Sequence, residues 1–292
     1  MAIILDGKQL AAQIRESLKI RVNALKEKRY IPTLAVVQVG DNQASNIYVK
    51  NKDKACKEIG IISYIGKLDE HISQDNLNTF INNIRADGCM LQLPLPDHLD
   101  EGLAMCFIRA DRDVDGLDAL NAGYLMRNDN VGFIPCTPKG IIRILKEYHV
   151  PLEGKHAVVL GRSNIVGKPI SALLLRENCT VTICHSHTEN LSEFTKQADI
   201  LVSAIGKPKF VTVDMVKPGA AVIDVGINRV DGKVVGDVDF ENVEPIAGWI
   251  TPVPGGIGPM TIAMLLENTV EAAETNQMER NQIYENGRLR VN

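Results

Sequence analysis

Tyr48 and Lys52 lie four residues apart in ASNIYVKNKDKACKEIG, residues 44–60. On a helix that spacing holds two Cβ atoms about 5–6 Å apart on one face, so an aromatic plane and an amine can line one pocket. The pair is a candidate active-site floor, although an ordinary amphipathic surface pair shares the spacing. Gln92 is a second candidate. It interrupts the apolar run GCMLQLPLP beside two prolines that must end a strand. A buried amide there needs partners, which backbone, a ligand or a lysine can supply.

Two other clusters invite a metal. Asp111, Asp113 and Asp115 before Gly116 imitate the start of an EF-hand loop, but the acid required at loop position 12 falls on Ala122, so no calcium site is expected. What remains is a turn rich in carboxylates, either a solvated loop or one with an Asp reading a polar ligand edge. His185 and His187 in Cys-His-Ser-His are expected to point apart at the end of a strand, with no further ligand cluster near, so the expectation is no metal.

These residues need elements to position them. Residues 7–28 space Leu10, Ile14, Leu18, Ile20 and Leu25 as a helix, and TLAVVQVG after Pro32 reads as a buried parallel strand. The Gly-Asp-Asn turn at 40–42 then feeds the helix with Tyr48 and Lys52, putting them just beyond the carboxyl end of a strand, where open α/β sheets bind ligands. ISYIGKL (strand), SQDNLNTFINNIRAD (helix with a Ser or Asp cap) and GCMLQLPLP (strand) follow, and PCTPKGIIRILKEY reads as a helix capped by Thr137 and begun by Pro138.

In the second half, His156–Leu160 is a strand, Gly161–Gly167 a glycine-bounded loop and Lys168–Glu177 a helix with Pro169 in its first turn. Free backbone N–H groups and the helix dipole there suit a phosphate, although G-R-S-x-x-x-G-x-P departs from the usual dinucleotide spacing. TVTICHS, TENLSEFTKQA, DILVSAIG and AAVIDVGIN continue a β-α-β alternation, which predicts a doubly wound parallel sheet over about residues 155–228. An NAD site usually places an acid about 20 residues past the glycine loop. Here the count reaches Cys184–His187 with no acid before Glu189, and Arg162 and Ser186 can take a 2′-phosphate, which favours NADP. The Pro/Gly run before the last long helix, with Gly255, Gly256 and Gly258, lets backbone approach a flat ligand closely. The polar tail from about Gln277 is expected to fray or dock loosely.

The totals agree with a small-molecule enzyme. With 292 residues the chain has room for two cores, and a net charge of -4 argues against a nucleic-acid groove or a basic membrane face. Six scattered cysteines without a C-x-x-C pair suggest neither zinc nor disulfides and fit a reducing compartment. The apolar run before Asp6 is too short for a signal peptide, and no run of 18 apolar residues follows, so a cytoplasmic protein is expected.

Taken together, VGDNQASNIYVKNKDKACKEIGI, LQLPLP, DVDGL with NAGYL, FIPCTPKG, VVLGRSNIVGKP, KPGAAVIDVGIN and ITPVPGGIGPMT resemble the bifunctional methylenetetrahydrofolate dehydrogenase/methenyltetrahydrofolate cyclohydrolase family, in family order over nearly the whole chain. GLDALN stands where many bacterial members carry a GLHP-type run. The resemblance implies two α/β domains facing across a cleft, the C-terminal one Rossmann-like with a doubly wound parallel sheet. A folate-binding catalytic domain would cover 1–120, joined by the C-terminal helix at about 258–292, and an NADP domain 121–257. It implies that Lys52 is the catalytic lysine, that Tyr48 packs along the folate, that Gln92 contacts and tunes the lysine, and that Asp115 anchors the pterin edge. Leu93 and the loop with Pro254, Gly255 and Gly256 would border the substrate. Gly161, Arg162, Ser163, Ser186 and Ile227 would hold NADP. A homodimer acting on tetrahydrofolate derivatives, in one-carbon metabolism and purine biosynthesis, completes the expectation.

Two other classes share parts of this pattern. Tyr-x-x-x-Lys is also the short-chain dehydrogenase signature, but there the glycine loop precedes the Tyr, whereas Tyr48 precedes Gly161. A non-catalytic nucleotide sensor keeping the fold would have no use for Lys52, Gln92 and Asp115 together.

Overall fold

The computed structural model describes residues 1–289, apart from the side chains of Ala44 and of residues 283–289. In chain order the elements are β1 (Ile3–Ile4), α1 (Gly7–Glu27), β2 (Thr33–Val39), α2 (Gln43–Ile59), β3 (Ile62–Leu68), α3 (Gln74–Asn82) and β4 (Gly88–Leu91), followed by α4 (Glu101–Met105), α5 (Ala119–Arg127) and α6 (Cys136–Glu147). Then come β5 (His156–Leu160), α7 (Gly167–Arg176), β6 (Thr180–Cys184), α8 (Leu191–Thr195), β7 (Ile200–Ser203) and β8 (Ala221–Asp224). The hairpin β9 (Asn228–Val230) and β10 (Lys233–Val235), α9 (Phe240–Val243), β11 (Trp249–Ile250) and α10 (Ile257–Leu289) complete the fold. Among the described residues no helix is long and apolar enough to cross a membrane.

The chain divides into two compact units. One comprises Gln13–Ala122, Val131–Phe133 and the chain from Leu265 onward. Its three-stranded sheet is parallel in the order β3-β2-β4. The central strand β2 is buried at six successive positions from Leu34, as a strand covered on both faces must be, and all but Gln38 are apolar. Leu34 and the three valines each contribute roughly 1.5–3 kcal/mol by leaving water. Ser73, not an Asp, caps α3 by accepting from the Asn76 N–H. α10 is fastened to this unit by a bidentate Arg21–Glu274 pair at 3.0 and 2.6 Å, by Asn276 donating to Asp87 at 2.9 Å, and by Asn268 donating to the Val114 carbonyl at 2.8 Å.

The other unit comprises Met1–Ala12, Gly123–Asn130 and Ile134–Met264. Its six-stranded sheet has the order β1-β11-β8-β7-β5-β6, and every pairing is parallel. This is the doubly wound sheet that the alternation predicts. Val158, Leu160, Leu201 and Val222 from its central strands are buried in one core. The outer strands β1 and β11 are two residues long and come from distant parts of the chain.

Several expected boundaries move. Thr137 does not cap α6: the helix starts at Cys136 after Pro135, without a side-chain cap, and Thr137 Oγ1 instead shares a 2.9 Å hydrogen bond with Thr261 Oγ1. The helix thus begins two residues earlier than the Thr-Pro signal implied. The helix expected at 188–198 shrinks to α8, because Asn190 adopts left-handed backbone before it. The tail does not fray at Gln277, which is buried; α10 runs on to Leu289 through helix formers such as Met278, Glu279 and Arg280. The last part of the expected tail, 290–292, lies outside the described residues.

Candidate active site

In the β3-β2-β4 sheet the chain passes from β2 to β3 on one side and returns to β4 on the other, so the strand order reverses at β2. Segments leaving the carboxyl ends of β2 and β4 therefore flank a switch point, where open α/β sheets place ligands. From β2 the chain turns at Gly40, with φ +76°, into α2, whose start Asn42 caps by accepting from the Ser45 N–H at 3.1 Å. Val49, Cys56 and Ile59 bury one face of α2, and Tyr48 and Lys52 stand half-buried at the edge of that face. From β4 the chain emerges at Gln92, one residue past the strand, whose N–H still bonds the Val37 carbonyl at 2.8 Å.

These two exits meet. Lys52 Nζ donates to Gln92 Oε1 at 3.0 Å, and Gln92 Nε2 donates to the Leu93 carbonyl at 2.8 Å. The amide that the sequence left needing partners has a lysine and a backbone oxygen. Leu93 is half-buried and joined to Pro94 by a cis peptide.

The carboxylate turn separates into two kinds of Asp. Asp113 is buried, accepting from the Asp118 N–H at 2.7 Å and from Asn121 at 2.9 Å. Burial pushes its carboxyl up to about 6, opposed by those two donors. Asp115 is half-buried, and among the described residues its carboxylate accepts no hydrogen bond within the protein. Asp113 is thus a structural post for the loop, whereas Asp115 keeps its acceptors for something else.

In the six-stranded unit the order reverses at β5, which lies between β6 and β7. The loop leaving β5 is Gly161–Gly167. Gly161 has φ +112°, and a Cβ there would collide with the Ala204 carbonyl oxygen; one on Gly167 would collide with the Gly161 carbonyl oxygen. The loop is therefore a tight cradle with room for backbone alone. Its helix end differs from the expectation of free N–H groups. Ser163 Oγ accepts from the Val166 and Gly167 N–H groups at 3.1 and 3.3 Å, and its carbonyl takes the Lys168 N–H at 3.0 Å. Arg162 and Ser186 are exposed.

β6 ends at Cys184, so His185 and His187 lie in a turn beyond the strand, where the pleat does not set their directions. Their ring centroids are 6.0 Å apart, edge to face, which corrects the expectation that they point apart. The His187 N–H approaches His185 Nδ1 at 3.2 Å, and among the described residues no three His, Cys, Asp or Glu gather as metal ligands.

Ile227 is half exposed and lies near Gly258, its Cδ1 3.9 Å from where a Cβ would stand. The Pro254–Gly256 loop follows a cis Val253–Pro254 peptide, and its Gly255 carbonyl accepts from the Lys8 N–H at 2.8 Å. Gly7 packs so closely on the Gly256 carbonyl that a side chain there would collide with it. Sequence reasoning missed this anchor at the start of α1, and it missed the buried carboxylates Asp224 and Asp237 behind the strand-end loops. The available signal was a single Asp ending the apolar run AAVID.

A parallel sheet with a glycine cradle at one switch point, and a lysine–amide pair at the switch point of another, define an α/β enzyme of the nucleotide-binding dehydrogenase class. Comparison with known proteins makes the class specific. Residues 5–115 match the catalytic domain of tetrahydrofolate dehydrogenase/cyclohydrolase, and residues 135–277 match that family's NAD(P)-binding domain. The chain is 53% identical over 286 residues to the bifunctional protein FolD of Oceanobacillus iheyensis, covering 96% of this chain and all of that one. The crystal structure of the bifunctional FolD methylenetetrahydrofolate dehydrogenase/cyclohydrolase from Campylobacter jejuni superposes with a TM-score of 0.93 at 49% identity, over 94% of this chain and all of that one. The Trypanosoma brucei FolD structure, complexed with NADP cofactor and inhibitor, gives 0.89 at 37% identity over 94% of this chain and 98% of that one. The chain belongs to the bifunctional tetrahydrofolate dehydrogenase/cyclohydrolase family, and it is an enzyme of folate one-carbon chemistry.

Proposed function

We propose that this chain oxidises 5,10-methylenetetrahydrofolate with NADP to the 5,10-methenyl cation and hydrolyses that cation to 10-formyltetrahydrofolate, with Lys52 as the proton-transfer group. The observation that carries the reading is the 3.0 Å hydrogen bond from Lys52 Nζ to Gln92 Oε1 at the β2–β4 switch point. Oxidation leaves a cation delocalised over two nitrogens and needs no acid. Attack of water on the same carbon does need a proton acceptor, and later a donor so that one C–N bond can break. Lys52 takes and returns that proton, Gln92 holds its amine in place, Tyr48 on the same helix face is the wall for the flat folate, and Asp115 offers its open carboxylate to the pterin edge. Leu93 and the Pro254, Gly255 and Gly256 loop border the substrate.

The glycine cradle fits a dinucleotide, since Gly161 and Gly167 leave only backbone at the surface. When bound, NADP supplies the hydride acceptor. Gly161 and the loop it begins hold the phosphates, Arg162 and Ser186 take the 2′-phosphate, and Ile227 packs beside the cofactor. Ser163 does part of its work inside the protein by capping α7. The relative solved with NADP supports this choice of cofactor. A folate-binding catalytic domain over 1–120 with the C-terminal helix, and an NADP domain over 121–257, follow from the same reading.

The chain acts as a cytoplasmic homodimer that supplies formyl groups for purine biosynthesis. Free thiols on all six cysteines suit a reducing compartment. The edge strand β3 exposes Ile62, Tyr64 and Ile65, with Phe80 exposed beside it, an apolar face suited to a second copy of the chain. Mixing enzyme, NADP+ and 5,10-methylenetetrahydrofolate should raise the absorbance of NADPH. Cofactor binding without any such rise would mark a sensor and overturn the reading.

A further inference from the structure

We propose that Asp237 is a positioning residue for the dinucleotide, tying together the strand-end loops that border its site. This rests on the cofactor reading of the Gly161 loop and Ile227. Asp237 is fully buried. Its Oδ2 accepts from the Ile205 and Gly206 N–H groups at 2.8 and 3.1 Å and from Ser203 Oγ at 3.3 Å, while its Oδ1 accepts from Asn228 Nδ2 at 2.9 Å. One carboxylate thus clamps the loop after β7 to the loop after β8.

The clamp reaches cofactor residues from both sides. Ile205 directly follows Ala204, whose carbonyl oxygen is the group that forbids a side chain at Gly161. Asn228 directly follows Ile227. A second buried carboxylate braces the first: Asp224 accepts from the N–H groups of Gly226, Asp237 and Val238, each at 2.9 Å. Gly226 and Gly236 leave space for these carboxylates, since a Cβ on Gly226 would meet Asp237 Oδ1 and one on Gly236 would meet Asp224 Oδ2. Backbone N–H groups beyond the end of a sheet have lost their ladder partners, and a buried unpaired donor is costly. A carboxylate satisfies several at once with charge-assisted bonds, and so holds the loops in one arrangement before the ligand arrives.

The test is direct binding of NADPH by fluorescence titration, with cyclohydrolase rate measured on the same samples without cofactor. Asp237→Ala is expected to raise the Kd for NADPH at least tenfold at full binding stoichiometry, with the cyclohydrolase rate within twofold of wild type. Asp237→Asn, which keeps an acceptor for Ile205 and Gly206, is expected to stay within threefold of the wild-type Kd. A purely structural role would instead lower the fraction of binding sites and leave their Kd unchanged, and that result overturns the proposal. Should Asp237→Ala fail to fold, Asn228→Ala removes one tie alone, and a Kd raised about threefold supports the clamp whereas an unchanged Kd overturns it. Arg162→Ala, measured alongside, separates the two levels: weaker NADPH binding in Arg162→Ala with none in Asp237→Ala defeats the clamp alone. Unchanged binding in both defeats the cofactor reading beneath it.

Discussion

Lys52 and Gln92, from a helix leaving β2 and a turn leaving β4, meet in a 3.0 Å hydrogen bond at the point where the sheet order reverses. The lysine is therefore aimed by a neighbouring strand as well as by its own helix. An amine on a flexible four-carbon stem needs such an acceptor if it is to present its proton in one direction.

The first prediction concerns that acceptor. Gln92→Met keeps similar volume and removes the bond to Lys52, so the cyclohydrolase rate is expected to fall at least tenfold while the dehydrogenase rate falls less than threefold. Separate assays of the two steps on one preparation check it, and equal losses would assign Gln92 to substrate binding in general.

Arg162→Ala is expected to weaken NADP binding far more than NAD binding. The side chain is exposed in the cradle loop, and on the proposed reading its charge meets the extra phosphate that NADP carries and NAD lacks. Parallel titrations with the two cofactors decide it; equal losses would remove the 2′-phosphate assignment.

Gly161→Ala is expected to be harmful in two ways. It places a side chain at φ +112° and drives a Cβ into the Ala204 carbonyl. The backbone cost alone is on the order of 1–3 kcal/mol. Thermal melts should show the loss of stability, and NADPH titration a loss of affinity beyond it.

Asp113 makes stability depend on pH in an unusual direction for a carboxylate. Burial raises its folded pKa to about 6, above its value in the unfolded chain. Between pH 5 and 7 the folded form therefore holds more protons than the unfolded form, and stability falls as pH rises. From pH 5 to 7 the contribution lost is about 1 kcal/mol. Burial also raises the Asp224 carboxyl to about 6, so denaturant unfolding of wild type against Asp113→Asn should show a slope that is shallower in the variant by the Asp113 contribution and not abolished.

The parts of the fold legible in sequence were those with a strong local signature. The apolar run of β2 between Pro32 and Gly40, and the strand-glycine-helix passage from His156 to Arg176, announce themselves through periodicity and glycine placement. β1 and β11 do not, because two residues carry no period and their pairing is decided by a partner hundreds of positions away in the chain. The site divided in the same way. Tyr48 and Lys52 share a helix face by simple counting, whereas the meeting of Lys52 with Gln92 is a tertiary fact. Asp113 and Asp115 look alike in the sequence, and only burial and hydrogen bonding separate the post from the open carboxylate. Asp237, in the run GDVDF, reads as a turn residue until its four acceptor contacts are seen.

Lys52→Met, assayed separately for NADPH formation and for hydrolysis of the methenyl substrate, tests the central claim most directly. Loss of the amine removes the proton-transfer group while leaving the cofactor cradle untouched, so hydrolysis should fall at least a hundredfold, the lower range for a positioned acid/base. NADPH formation should persist at a measurable rate. Hydrolysis surviving near the wild-type level would contradict the account.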